Sequence, residues 1–153
     1  SPVGVWCFTE NSSTSFDKVQ DKSLTTGTCR YFDQYGILWG QALKSSGSLF
    51  LNIEDTRNIE SVPKTIEPNF REAFNLVVSK FERLNIAIRK ISIPDNSIND
   101  FYVYTTKGYY IMFSADQEID KQIESLEIFL SNKSDSFAAE YVDARIPGRI
   151  YYK

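Results

Sequence analysis

The chain has no histidine. That absence removes the usual general base, the commonest metal ligand and every catalytic triad built on imidazole. Cysteine occurs only at Cys7 and Cys29 and methionine once. No metal cluster, nucleophile motif or glycine-rich phosphate loop can be written from this text. No uninterrupted apolar run approaches the roughly 20 residues of a membrane span, and no signal-peptide pattern is visible. Lys and Arg number 17 against 20 Asp and Glu, a net charge of −3, which argues against nucleic acid as a partner. Nothing points to a cofactor or a small-molecule substrate.

What is present suits one domain. The 153 residues are 42% hydrophobic and 14% aromatic, enough to bury a core rather than remain disordered. The two cysteines have two readings: a disulfide in an exported protein, or two buried free thiols in a cytosolic fold. Both lie in strand-like text that can face each other, so a Cys7–Cys29 bridge is expected. It would close a 22-residue span and stabilise by about 3 kcal/mol.

Residues 3–8, VGVWCF, read as a strand. Residues 9–28 are rich in Ser, Thr, Asn, Asp and Lys and read as a long polar loop. TCRYFD at 28–33 and ILWG at 37–40 read as a hairpin around a turn that Gly36 permits. QALKSSGS at 41–48 reads as loop. LFLNI at 49–53 puts Leu49, Leu51 and Ile53 on one face of a short strand. Residues 54–65 read as loop.

The period then changes. Phe70, Phe74, Val77, Val78, Phe81 and Leu84 predict an amphipathic helix over 69–84, with Pro68 in its first turn and Asn85 as its stop. Residues 86–93 read as a strand. FYVYTT at 101–106 and YYIMFS at 109–114 predict a hairpin turning at Lys107 and Gly108. Ser114 or Asp116 is the expected cap of a second helix, whose stripe is Ile119, Ile123, Leu126 and Leu130. From Asp116 to Asp135, six carboxylates face two lysines. That acidity reads as a solvated helix face, with a docking surface for a basic partner as the sharper alternative. FAAEYVDAR at 137–145 reads as a strand, and after Pro147 and Gly148 the chain returns as RIYYK. The order predicts an α+β fold: a mostly antiparallel sheet with two amphipathic helices packed on one face.

The order and spacing of these motifs resemble the extracytoplasmic β domain of the FtsQ/DivIB family of bacterial cell-division proteins. PVGVWC at 2–7 looks like the strand leaving that family's POTRA domain. CRYFDQYGILW at 29–39 is similar to its Y-h-D-x-x-G-h-h-h hairpin, where h is hydrophobic. LFLNI matches the next short strand, and Lys107-Gly108 matches the turn before the second helix. EYVDARIPGRIYYK at 140–153 looks like the closing h-D-h-R-x-P-x-R-h pattern. The Cys7–Cys29 pair and the polar loop between them depart from the family.

The resemblance implies a non-enzymatic scaffold on the periplasmic face of the cell membrane. The full-length protein would carry a POTRA domain and a single membrane span before this 153-residue domain. Its partners would be FtsB- and FtsL-type coiled-coil proteins, held at the septum by strand addition at the C-terminal sheet edge. Carried onto this chain, the partner-binding residues are Arg145, Ile146, Gly148, Arg149, Ile150, Tyr151 and Tyr152. An open terminal strand reaches the same segment without the resemblance; the other reading of this stretch is a core-edge strand that pairs internally. Two other readings stand beside it. One is an unrelated extracytoplasmic envelope or adhesion module of similar fold. The other is a carboxylate hydrolase using Asp33, Glu140 and Asp143, against which Asp33 fits a turn and Asp143 fits an ion pair with Arg145.

Overall fold

A computed structural model describes residues 3–9, 28–43 and 50–153 of the chain. Most of the predicted polar loop (10–27), Leu49 and most of the loop at 41–48 lie outside them. The described elements are β1 (Gly4–Phe8), β2 (Thr28–Phe32), β3 (Leu38–Ala42), β4 (Leu51–Asp55), α1 (Pro68–Arg83), β5 (Ile88–Ile93), β6 (Asp100–Thr105), β7 (Tyr110–Ser114), α2 (Ile119–Ser131), β8 (Tyr141–Ile146) and β9 (Arg149–Tyr152). They build one nine-stranded sheet in the order β3-β2-β1-β4-β5-β6-β7-β8-β9.

The fold is α+β, but the sheet is mixed rather than mostly antiparallel. Three of its pairings, β1–β4, β4–β5 and β7–β8, are parallel. The other five are antiparallel. The reason is the connection. A helix between two neighbouring strands carries the chain back to the starting end, so the second strand runs parallel to the first. α1 does this between β4 and β5, and α2 between β7 and β8. The chain from β4 onward is thus two successive β-α-β-β units.

Period-2 alternation sends one set of side chains towards the helices. Trp6, Phe8, Ile53, Ile91, Ile93, Phe101, Val103, Ile111, Phe113, Val142 and Ala144 are buried in one cluster with Phe70, Phe74, Val77 and Phe81 of α1 and Ile123 and Leu126 of α2. Val78, placed in the α1 stripe by spacing, is exposed. α1 opens with Pro68 at its first position, where a missing N–H costs nothing, and stops at Asn85, which takes φ 57°. The opposite sheet face carries a row of rings: Tyr104 and Tyr102 each pack on Tyr110 at 5.0 and 5.3 Å, and Tyr110 packs on Tyr141 at 5.9 Å. Burial pushes the phenols of Tyr102 and Tyr110 above their ordinary value.

Other boundaries moved. The hairpin between β6 and β7 turns through Thr106, Lys107 and Gly108 rather than two residues, with Thr105 N–H bonded to Tyr109 O at 3.2 Å. Gly108 takes the left-handed φ of 93° that closes such a loop. Neither Ser114 nor Asp116 caps α2. The N-cap residue is Glu118, without a side-chain bond, because the Ser114 hydroxyl is engaged with Asp116 and its main chain with Gln122. Residues 137–139 are not strand; β8 begins at Tyr141.

The expected disulfide is present. Cys7 and Cys29 are opposite one another on β1 and β2, with Cα atoms 4.0 Å apart.

Candidate partner-binding edge

Among the described residues β9 is the last strand of the sheet and pairs on one side only, with β8. Pro147 and Gly148 make the reversal between them. Proline fixes the first turn position, and Gly148 at φ 82° supplies the positive angle the second requires. The Gly148 N–H donates to Ser125 Oγ of α2 at 2.8 Å, so the turn is tied to the helix.

Alternation along β9 decides which main-chain groups are available. Lys153 N–H donates to Tyr141 O at 3.2 Å, so Lys153 faces β8. Two residues back, Tyr151 faces β8 as well, opposite Asp143. The N–H and C=O of Ile150 and Tyr152 therefore point off the sheet, in the spacing that an added strand uses. Ile150 is half-buried against the core on the helix side. Tyr152 lies on that side too, with its ring 5.3 Å from Phe129 and 5.7 Å from Phe137. Tyr151 points to the opposite face. Ile146, Tyr151 and Tyr152 are 54%, 54% and 52% exposed, and Arg149 is exposed.

Arg145 sits differently from the other six. Its Nε and Nη2 donate to the two oxygens of Asp143 at 2.9 and 2.7 Å, and its Nη1 donates to Asp100 at 2.7 Å. These bonds raise the guanidinium above its already high value. Burial pushes the Asp143 carboxyl up, but the bonds and charge of Arg145 outweigh it and hold the group below the usual carboxylate range. Arg145 thus locks β8 to β6 beneath the edge.

The same clamp occurs a second time. Arg57 donates from Nε and Nη2 to Asp55 at 3.0 and 2.8 Å, and from Nη1 to Glu67 at 2.9 Å. In both clamps the arginine's own N–H also reaches the aspartate, at 3.1 Å. Asp55 accepts the indole N–H of Trp6 at 3.3 Å as well. The spacing Asp-x-Arg at 55–57 is visible in the sequence, and it was the signal for this cluster that sequence reading passed over.

The hydrolase candidates are not brought together. Asp33 accepts the N–H groups of Tyr35 and Ile37 in the β2–β3 turn. Asp143 is on β8, with β1, β4, β5, β6 and β7 between it and β2. Glu140 is exposed and pairs with Lys153 at 3.5 Å. Among the described residues no three acidic or cysteine side chains are grouped to hold a metal, and no helix is long and apolar enough to cross a membrane. No protein-family model matches the chain, and no curated protein matches it.

Proposed function

We propose that this domain is a non-enzymatic scaffold of the bacterial division machinery that captures an FtsB- or FtsL-type partner by strand addition along β9. The observation that carries the reading is the outermost position of β9, with the main-chain groups of Ile150 and Tyr152 directed away from the sheet. Main-chain bonds supply affinity in such an interface, and flanking side chains supply selection. Here the flanks are Ile150 and Tyr152 on the helix side and Arg149 and Tyr151 on the other. The Cys7–Cys29 bridge suits an oxidising compartment outside the cytoplasm. The partner's identity and the membrane anchor come from the motif resemblance, with the domain on the periplasmic side of a single span.

The test is a binding titration with the extracytoplasmic segment of the FtsB-like protein encoded in the same genome. The unchanged domain should bind it. Ile150→Lys and Tyr152→Lys should abolish binding while circular dichroism and the melting temperature show a folded domain. A folded variant that binds like the parent, or a parent that does not bind, overturns the reading and leaves an envelope module with another partner.

A further inference from the structure

Lys133 follows the last turn of α2. Its ammonium lies 4.9 Å from the ring centre of Phe129, 5.7 Å from that of Phe137 and 4.9 Å from that of Tyr152. The three rings touch one another, with centres 5.6, 5.3 and 5.7 Å apart and planes inclined at 83°, 49° and 73°. They come from three segments: α2, the α2–β8 connection and β9. A cation within about 6 Å of a ring centre is attracted by the ring quadrupole, and one ammonium serves three rings here. Lys121 and Lys153 pair with carboxylates. Lys133 makes no ion pair among the described residues. The end of α2 also favours a positive charge, because its last carbonyls point that way.

We propose that Phe129, Phe137 and Tyr152 form an ammonium-binding site, filled by the chain's own Lys133, and that this clasp positions β9 for pairing. β9 has four residues and, among the described residues, one neighbouring strand. On the helix side its far end is held by the Tyr152 ring, and its near end by the bond from Gly148 to Ser125. Phe137 continues the cluster inward to Tyr109, 5.8 Å away, so the clasp joins the free edge to the core. Without the charge, the end of β9 keeps its ladder bonds to β8, the ring contacts of Tyr152 and the exposed Lys153–Glu140 pair, but loses the cation shared by the three rings. Lys133 is thus a positioning residue for the edge. The clasp stands on this geometry alone; its effect on a partner rests on the strand-addition reading.

Amide hydrogen exchange on the whole chain tests it. The amides to follow are Tyr151 and Lys153, which face β8, with Val103 and Phe113 as core references. Lys133→Met keeps the stem and deletes the charge. It should speed exchange at Tyr151 and Lys153 by about three- to five-fold and leave Val103 and Phe113 unchanged. Lys133→Arg, which retains a cation, should stay close to the parent. In Lys133→Ala, added butylammonium chloride should restore slow exchange and equal sodium chloride should not. Unchanged exchange at Tyr151 and Lys153 in Lys133→Met, equal acceleration at the core references, or equal rescue by sodium chloride would each overturn the clasp. Partner titration of Lys133→Met separates the two claims. If β9 frays in this variant but the parent binds no FtsB-like segment, the clasp stands and the strand-addition reading fails.

Discussion

The side-chain amide of Gln122 closes both main-chain hydrogen bonds of Ser114. Ser114 N–H donates to Gln122 Oε1 and Gln122 Nε2 donates to Ser114 O, each at 2.9 Å. Gln122 is fully buried. One α2 side chain thus takes the place of a neighbouring strand at the end of β7 and fixes the helix on the sheet.

Gln122→Leu leaves the buried Ser114 N–H unpaired and the Ser114 carbonyl with only the long bond from Gln117 N–H at 3.4 Å. An unpaired buried group costs about 1–3 kcal/mol, so the variant should lose roughly that much in urea unfolding. Gln122→Glu keeps the acceptor and should fall between the two. A loss within about 0.5 kcal/mol, the range of an ordinary surface change, would show that water or a shift of α2 satisfies Ser114.

Gly4 is opposite Phe32 across the β1–β2 pair. A Cβ on Gly4 would collide with the Phe32 ring and lie 2.5 Å from the Leu51 main-chain oxygen. The ring is itself packed in the buried cluster with Trp6, 6.2 Å away centre to centre. Gly4→Ala should therefore destabilise the domain by about 1–3 kcal/mol, the usual cost of overpacking. Gly4→Ala with Phe32→Leu should recover part of it. A single variant as stable as the parent contradicts the contact.

Reducing the Cys7–Cys29 bridge frees the unfolded chain across a span of 22 residues. The loss should be about 3 kcal/mol, read as a lower urea midpoint for Cys7→Ser with Cys29→Ser. Binding at β9 should persist while the domain stays folded, because β1 and β9 are separated by β4, β5, β6, β7 and β8. Loss of binding in a folded reduced domain would place the partner at the other end of the sheet.

Elements with a clear period are legible in the sequence. The strands around Trp6 and Phe101 and the helix from Pro68 follow from alternation and a 3.6-residue stripe. Strand direction was less visible, since it depends on how far the chain travels between strands. The β-α-β order that dictates parallel pairing was nevertheless present twice. The α2 start was missed because Ser114 resembles a cap locally, while a residue eight positions later claims its main chain. At the edge, β9 could be found because a last strand has one neighbour. Arg145 belonged to the same motif, yet its fork is held by Asp143 and Asp100, and Asp100 is 45 residues away. The ring site was invisible for the same reason: residues 129, 137 and 152 share no period and meet only through packing.

The Asp143–Arg145 clamp sets a pH response. The Asp143 carboxyl titrates below the usual value of about 3.9 in the folded protein. The folded state gains from the ionised carboxylate above that value. It loses this gain as pH falls through the lower folded pKa. Asp143→Asn should be less stable than the parent at pH 7, and the gap should close on acidification below about pH 4. Urea midpoints of both proteins between pH 7 and pH 2.5 read this directly. A gap that stays constant over that range would mean that Asp143 acts by shape and not by charge.

Strand addition depends on the main chain, so its strictest test alters the main chain. Ile150 N–H points away from β8, and Tyr151 N–H points towards it. Proline at 150 deletes a donor that the sheet does not use, at an edge position where proline is tolerated. Proline at 151 deletes a ladder donor. Ile150→Ala is the companion, since it keeps the N–H and gives up the half-buried side chain that Ile150→Pro also loses. If the FtsB-like segment pairs with β9, Ile150→Ala should weaken binding modestly, Ile150→Pro should abolish it with β8–β9 pairing intact, and Tyr151→Pro should loosen β9 itself. Equal losses for the alanine and the proline at 150 would mean that side-chain packing, not an added strand, holds the partner. The same outcome would turn attention to Tyr152 and its ring neighbours as the contact surface, because they supply the aromatic area on that side of the edge.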